Sequence, residues 1–204
     1  MQKIKNIIFD LGGVLLDIDY NLTRTAFEKL GVEHFDEMYS QATADKLFQK
    51  LETGAITDEE FYREFNRVTG LQLSTSEIKN AWNAMLLSFR EESLIFLDKI
   101  REHYRLYLLS NTNNIHLVSF YEIYHQKERE KSFDQFFNKA FYSFQIGKRK
   151  PDQECYQWVL QDLQIEAKNT LFIDDSKNNI EGAIKAGLQT IWLTPDKRIE
   201  YLDL

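Results

Sequence analysis

Four short segments, each closing or following an apolar run, carry the groups on this chain best suited to chemistry. They are Asp10-Leu11-Gly12-Gly13, Ser110-Asn111-Thr112-Asn113, Gly147-Lys148-Arg149-Lys150-Pro151 and Asp174-Asp175-Ser176. A carboxylate at Asp10 can attack an electrophile, or it can cap the turn that Gly12-Gly13 announces. The paired acids Asp174-Asp175 can ligate a divalent cation or N-cap the helix that follows. Ser110, with the backbone N–H groups of Asn111 and Thr112 at a helix start, suits an oxyanion such as phosphate, and an N-cap serine uses the same geometry. Lys150 is a compact positive charge, and Pro151 biases residue 150 toward extended backbone, which limits where the long side chain points. Lys148 and Arg149 read as solvated neighbours.

These segments do chemistry together only if one scaffold gathers them. Short, continuously apolar runs at Ile4 to Phe9, Leu106 to Leu109, Ala140 to Tyr142, Leu171 to Ile173 and Thr190 to Leu193 fit strands covered on both faces, as in a parallel sheet. Helical spacings separate the later runs: Leu94, Leu97 and Ile100; Tyr156, Val159, Leu160 and Leu163; Ile180, Ala183 and Ile184. Gly187 stands where the last of these helices should stop. Alternating strands and helices predict an α/β, Rossmann-like doubly wound parallel sheet with right-handed crossovers. Such a sheet collects ligands outside the carboxyl ends of its strands, where the four segments lie.

Residues 16–89 break the alternation. No strand is legible there, but four amphipathic helical patterns are: Leu22, Ala26, Phe27 and Leu30; Leu47, Phe48 and Leu51; Phe61, Phe65 and Val68; and Ile78, Ala81, Trp82 and Met85. Thr57 with Glu60, and Ser74 with Glu77, have capping-box spacing. The reading is an inserted helical bundle, dividing the chain into a catalytic core (1–15 and 90–204) and an insertion (16–89). The aromatic and charged segment 115–137 reads as helix and loop with a solvated charged face, with a partner surface as the alternative.

Composition bounds the function. The chain has 204 residues, enough to bury roughly 70% of its unfolded surface without disulfides or a structural metal. One cysteine, Cys155, rules out an intramolecular disulfide and fits a reducing compartment. A formal charge of −7 argues against a nucleic-acid surface, and short apolar runs argue against a membrane span. A cytoplasmic protein acting on a small molecule is expected. His34, His103, His116 and His125 show no metal-ligand spacing, and Cys155, Trp82, Trp158 and Trp192 read as packing residues.

The four segments, in this order, resemble the motifs of the haloacid dehalogenase superfamily, and the insertion after the first resembles that family's C1 helical cap. Asp10-Leu11-Gly12, the downstream Asp17-Ile18-Asp19-Tyr20-Asn21 and Leu109-Ser110-Asn111-Thr112-Asn113 are most similar to the bacterial α-D-glucose-1-phosphate phosphatase group. The resemblance implies a Mg2+-dependent phosphatase acting through an aspartyl-phosphate. Asp10 would be nucleophile, with Ser110, Asn111 and Lys150 on the substrate phosphate. Asp10, the Gly12 carbonyl and Asp175 would hold the metal, supported by Asp174 or with Asp174 paired to Lys150. The substrate would be a small phosphorylated metabolite, glucose 1-phosphate first, with flavin or other small phosphoesters behind. Tyr20, Trp82 and Met85 of the cap read as core or pocket.

One departure matters. Most phosphatases of the superfamily carry a general acid two residues after the nucleophile, and here that residue is Gly12. Losing such an acid typically costs about 10²- to 10⁴-fold. Phosphomutase chemistry is therefore disfavoured, and substrates with acidic leaving groups, such as anomeric sugar phosphates, are favoured. Asp17 or Asp19 could substitute as the acid, although Asp17, Asp19 and Asn21 read first as a helix cap. Haloalkanoate dehalogenation is disfavoured by the acidic pair. A phosphoryl-ligand binder or scaffold with weak turnover is the alternative of a different class.

Overall fold

The structure, a computed structural model, describes residues 3–33, 35, 42–127, 129 and 131–204, without the side chains of 42–45. His34, and residues 128 and 130 of the charge run, lie outside the described residues. Five parallel strands form the main sheet: β1 (Asn6–Phe9), β4 (Arg105–Ser110), β5 (Lys139–Tyr142), β6 (Thr170–Asp174) and β7 (Gln189–Trp192), in the order β5-β4-β1-β6-β7. The continuous apolar runs are explained by burial on two sides. Ile7, Phe9, Leu106, Leu108 and Ile173 face one core with Leu97, Phe120 and Tyr124. Ile8, Tyr107, Leu109 and Phe172 face the other with Tyr156, Val159 and Ile180. Successive residues of a strand point to opposite faces, so both must be apolar when both faces are covered.

Helices α5 (Glu91–Ile100), α6 (Asn114–His125), α8 (Gln153–Leu163) and α9 (Lys177–Lys185) flank the sheet, with a short α7 (Ser143–Ile146) after β5. Gly187 has φ +88° after α9, the left-handed conformation that ends a helix cheaply only at glycine. Gly182 has another task. A Cβ there would lie 2.2 Å from the Pro151 carbonyl oxygen, so only glycine lets α9 press against the loop that carries Lys150.

Residues 16–89 carry α1 (Tyr20–Lys29), α2 (Ala42–Glu52), α3 (Asp58–Thr69) and α4 (Thr75–Asn83). Both predicted capping boxes form, at Thr57/Glu60 and Ser74/Glu77. Phe27, Phe48, Leu51, Phe61, Phe65, Ile78 and Trp82 build a separate apolar cluster, joined by Ile115 of α6. Two expectations need correction. A two-stranded antiparallel ribbon, β2 (Leu16–Ile18) with β3 (Leu86–Phe89), lies within the stretch read as strandless, because runs of three and four residues are too short to show a period. In α1 the buried residues are Thr23 and Phe27, while Leu22 is 42% exposed. The Thr23 hydroxyl donates to the Trp82 carbonyl and accepts from the Met85 N–H, which draws a polar residue inward.

The ribbon is clamped where it leaves the core. Arg90 pairs with Asp17 at 2.6 Å and donates to the carbonyls of Gly13 and Val14. Segment 115–137 turns most of its aromatics inward and leaves most of its described charged residues outside. Phe120, Tyr124, Phe133, Phe136 and Phe137 are buried, Lys127 and Arg129 pair with Glu91, and Lys131 pairs with Asp98. Its aromatics are therefore core material rather than a partner surface. Cys155 is fully buried. Trp192, read as packing, is instead 43% exposed, and its indole N–H donates to the Asp175 carbonyl at 2.9 Å. No helix among the described residues is long and apolar enough to cross a membrane.

Candidate active site

Because the five strands run parallel, their carboxyl ends share one edge, and the four segments meet there. Asp10 follows β1, Ser110 ends β4, Asp174 ends β6, and the loop after α7 delivers Lys150. Asp10, Gly12, Ser110, Asn111, Lys150 and Asp175 line one cavity of about 320 Å³. Asp174 lies beneath it, fully buried.

Lys150 is the hub. Its ammonium donates to Asp10 Oδ1 and to Asp174 Oδ2, each at 2.7 Å, with the side chain buried. Its backbone is held by Asn111, whose Nδ2 donates to the Lys150 carbonyl at 2.8 Å and whose Oδ1 accepts the Lys150 N–H at 2.9 Å. The Asn111 side chain is thus spent on positioning Lys150. Asp174 is held by Asn179 Nδ2, 3.0 Å from both carboxylate oxygens, and accepts the Ser176 N–H at 2.8 Å. It therefore serves the start of α9 as well as the lysine.

Ser110 is buried at the strand end. It is not the cap of α6, because Asn113 takes that role by accepting the His116 N–H. Thr112 does not offer its N–H to a ligand as expected, since that group donates to Ser143 Oγ at 2.9 Å.

The electrostatics are unbalanced. Carboxylate oxygens of Asp10, Asp174 and Asp175 all lie within 4.8 Å of one another, and Lys150 supplies one opposing charge. Burial, opposed by Lys150 and reinforced by Asp174 and Asp175, raises the Asp10 carboxyl to about 7. Asp175 is raised by burial and then by Asp174, with Lys150 and Arg90 opposing. Burial would lower the Lys150 ammonium, but Asp10 and Asp174 outweigh it and hold the group charged. Three carboxylates against one ammonium leave a site whose donor set fits a hard divalent cation, since oxygen ligands and surplus negative charge are what such an ion requires. Gly13 confirms how tightly the cluster is built: with φ +73°, its missing Cβ would sit 2.2 Å from Asp175 Oδ2.

The site also holds residues the sequence reading did not select. Arg149 is not a solvated neighbour: it lines the cavity and pairs with Glu52, the last residue of α2, at 2.9 Å. His116, Asn178 and Asn179 line it too, as do Tyr20, Trp82 and Met85. Asp17 and Asp19 do not. Asp17 clamps Arg90, and Asp19 caps α1 by accepting the Asn21 N–H at 2.9 Å, so the substitute acids considered above are engaged elsewhere. Adjacency of Arg149 to Lys150 was the available signal. Glu52 could not be found, because nothing in sequence ties residue 52 to residue 149.

The haloacid dehalogenase-like hydrolase family profile matches residues 4–187. A D-ribitol-5-phosphate phosphatase from Bacteroides thetaiotaomicron is 32% identical over 187 residues, covering 92% of this chain and 90% of its own. A crystal structure of a family enzyme from the same organism, in complex with magnesium and inorganic phosphate, superposes with a TM-score of 0.89 at 32% identity, covering 98% of this chain and 100% of that one. A predicted HAD-like family hydrolase from Porphyromonas gingivalis gives 0.86 at 32% identity, covering 96% and 94%. The chain belongs to the haloacid dehalogenase-like hydrolases.

Proposed function

We infer that this chain is a Mg2+-dependent phosphatase of small sugar or sugar-alcohol monophosphates. The observation that carries the reading is the Asp10–Lys150–Asp174 cluster beside Asp175, at the base of a cavity sized for one small metabolite. Asp10 attacks phosphorus and the phosphorus–oxygen bond to the sugar breaks, giving an aspartyl-phosphate and an alkoxide that takes its proton from water; a second water then hydrolyses the acyl phosphate and releases phosphate. Lys150 fixes Asp10 in line and neutralises charge on the phosphoryl oxygens. The Ser110 hydroxyl donates to the same oxygens, while Asn111 acts by holding the Lys150 backbone. Mg2+, held by Asp10, the Gly12 carbonyl and Asp175, supplies the positive charge that lets one anion approach another. Helices α1–α4 serve as the cap that walls the cavity and excludes water.

Two substrates stand out within the class. Gly12 offers no acid, which favours an anomeric phosphate such as glucose 1-phosphate, whose leaving oxygen departs with least help. The 32% identical relative acts on D-ribitol 5-phosphate, which favours a pentitol phosphate. Phosphate release from a panel of sugar, sugar-alcohol, nucleotide and acyl phosphates separates them. Activity with Mg2+ that is lost on chelation and in Asp10→Asn supports the phosphatase. Tight binding without release across the panel would leave a phosphoryl-ligand binder instead.

A further inference from the structure

We propose that Glu52 and Arg149 form a hydroxyl-reading pair that selects neutral, polyhydroxylated monophosphates. The proposal rests on the phosphatase reading and names what determines its substrate class. The pair joins two parts of the chain that lie far apart in sequence. Arg149 precedes the phosphate-facing Lys150, Glu52 ends α2 of the insertion, and Arg149 Nη2 meets Glu52 Oε2 at 2.9 Å. Both line the cavity that contains Asp10 and Ser110, and both are largely buried, the side chains 28% and 16% exposed. Among the described residues lining that cavity, Glu52 is the one carboxylate besides Asp10 and Asp175. The cavity therefore has a phosphate end set by Lys150 and Ser110, and a second polar group on its wall.

The chemistry of that second group is specific. Arg149 faces Glu52, so the pair presents both donors and an acceptor with no surplus charge. A hydroxyl both donates and accepts, and neighbouring hydroxyls can bridge the guanidinium and the carboxylate together. The Nε–H of Arg149 is buried and finds no acceptor among the described residues. A second phosphate or a carboxylate on the substrate would compete with Glu52 for the guanidinium and bring two anions together, a cost that a neutral hydroxyl does not carry. An aryl or alkyl group would bury the pair against carbon and leave its polar groups unmatched, which is how a polar site rejects an analogue lacking its hydroxyl. Leu16, Ile18 and Met85 give the same cavity apolar wall, as a carbon skeleton needs.

The test compares the holoenzyme with Glu52→Gln, Glu52→Leu and Arg149→Leu on glucose 1-phosphate, a pentitol 5-phosphate and phenyl phosphate. The proposal predicts that the ratio of kcat/KM for the hydroxylated substrates to that for phenyl phosphate falls at least about tenfold in Glu52→Leu. The change should lie mainly in KM, and Glu52→Gln should fall in between. An equal fall on all three substrates would make the pair a strut between α2 and the Lys150 loop and overturn the proposal, as would an unchanged ratio. Calorimetric binding of the same phosphates to Asp10→Asn, with and without Glu52→Leu, reads the preference without turnover. A wild-type protein that hydrolyses none of them would sink the phosphatase reading, and the calorimetry would still decide the pair.

Discussion

The imidazole of His116 lies stacked on the indole of Trp82, ring centroids 4.8 Å apart and planes 20° from parallel, and its Nε2 meets the Trp82 carbonyl at 3.2 Å. Asn113 fixes the tautomer. Its Oδ1 accepts the His116 backbone N–H, so its amide nitrogen faces Nδ1 as donor, and the ring proton sits on Nε2. This contact ties α6 to α4, and it uses the neutral ring fully.

A pH dependence follows. Burial pushes the His116 imidazole down from 6.5 to about 4, with the Trp82 carbonyl opposing. Between those values the unfolded chain takes up a proton that the folded protein refuses. The contribution is thus present above the unfolded pKa and is lost as pH falls toward the folded one. At 1.36 kcal/mol per pH unit, the loss is on the order of 3 kcal/mol. Urea unfolding at stepped pH should show a steeper fall for the wild type than for His116→Gln across this window. Parallel curves would contradict the assignment.

Asp175 opposes metal-free folding. Its carboxylate shares the cluster with Asp10 and Asp174, within 4.8 Å, against one lysine. Asp175→Asn should therefore raise the stability of the chelated protein, by up to about 1 kcal/mol given its partial exposure. It should also abolish the rise in melting temperature that Mg2+ gives the wild type by mass action. Thermal scans with and without Mg2+ check both; an undiminished Mg2+ response in the variant would remove Asp175 from the metal site.

Gly13 and Gly70 make a matched pair. Their φ angles are +73° and +71°, but a Cβ at Gly13 would strike Asp175 Oδ2 at 2.2 Å, while one at Gly70 has open space. Gly70→Ala should cost the backbone penalty alone, roughly 1–2 kcal/mol, with an unchanged Mg2+ requirement. Gly13→Ala should add displacement of Asp175 and raise the Mg2+ concentration for half-maximal activity at least about tenfold. Equal Mg2+ dependence in the two variants would count against the cluster's geometry.

The sheet was legible because burial on both faces writes itself as continuous apolar runs, as Ile7-Ile8-Phe9 and Leu106-Tyr107-Leu108-Leu109 do. The gathering of Asp10, Ser110, Lys150 and Asp175 was legible for a topological reason: parallel strands place every carboxyl end on one edge. The ribbon of Leu16–Ile18 with Leu86–Phe89 was hidden by its brevity. Thr23 was hidden because a hydroxyl pointing inward contradicts an apolar face until its two partners are known. The Glu52–Arg149 contact was hidden because the pairing is made by the fold.

On the proposed function, Asp10 carries the phosphoryl group. The direct measurement is mass spectrometry of the Asp10 peptide from wild-type protein, acid-quenched during turnover of a sugar phosphate with Mg2+. A phosphoryl adduct on that peptide, absent in Asp10→Asn and absent with chelator, is predicted. Sustained phosphate release with no adduct at any quench time, or release that persists in Asp10→Asn, would contradict it.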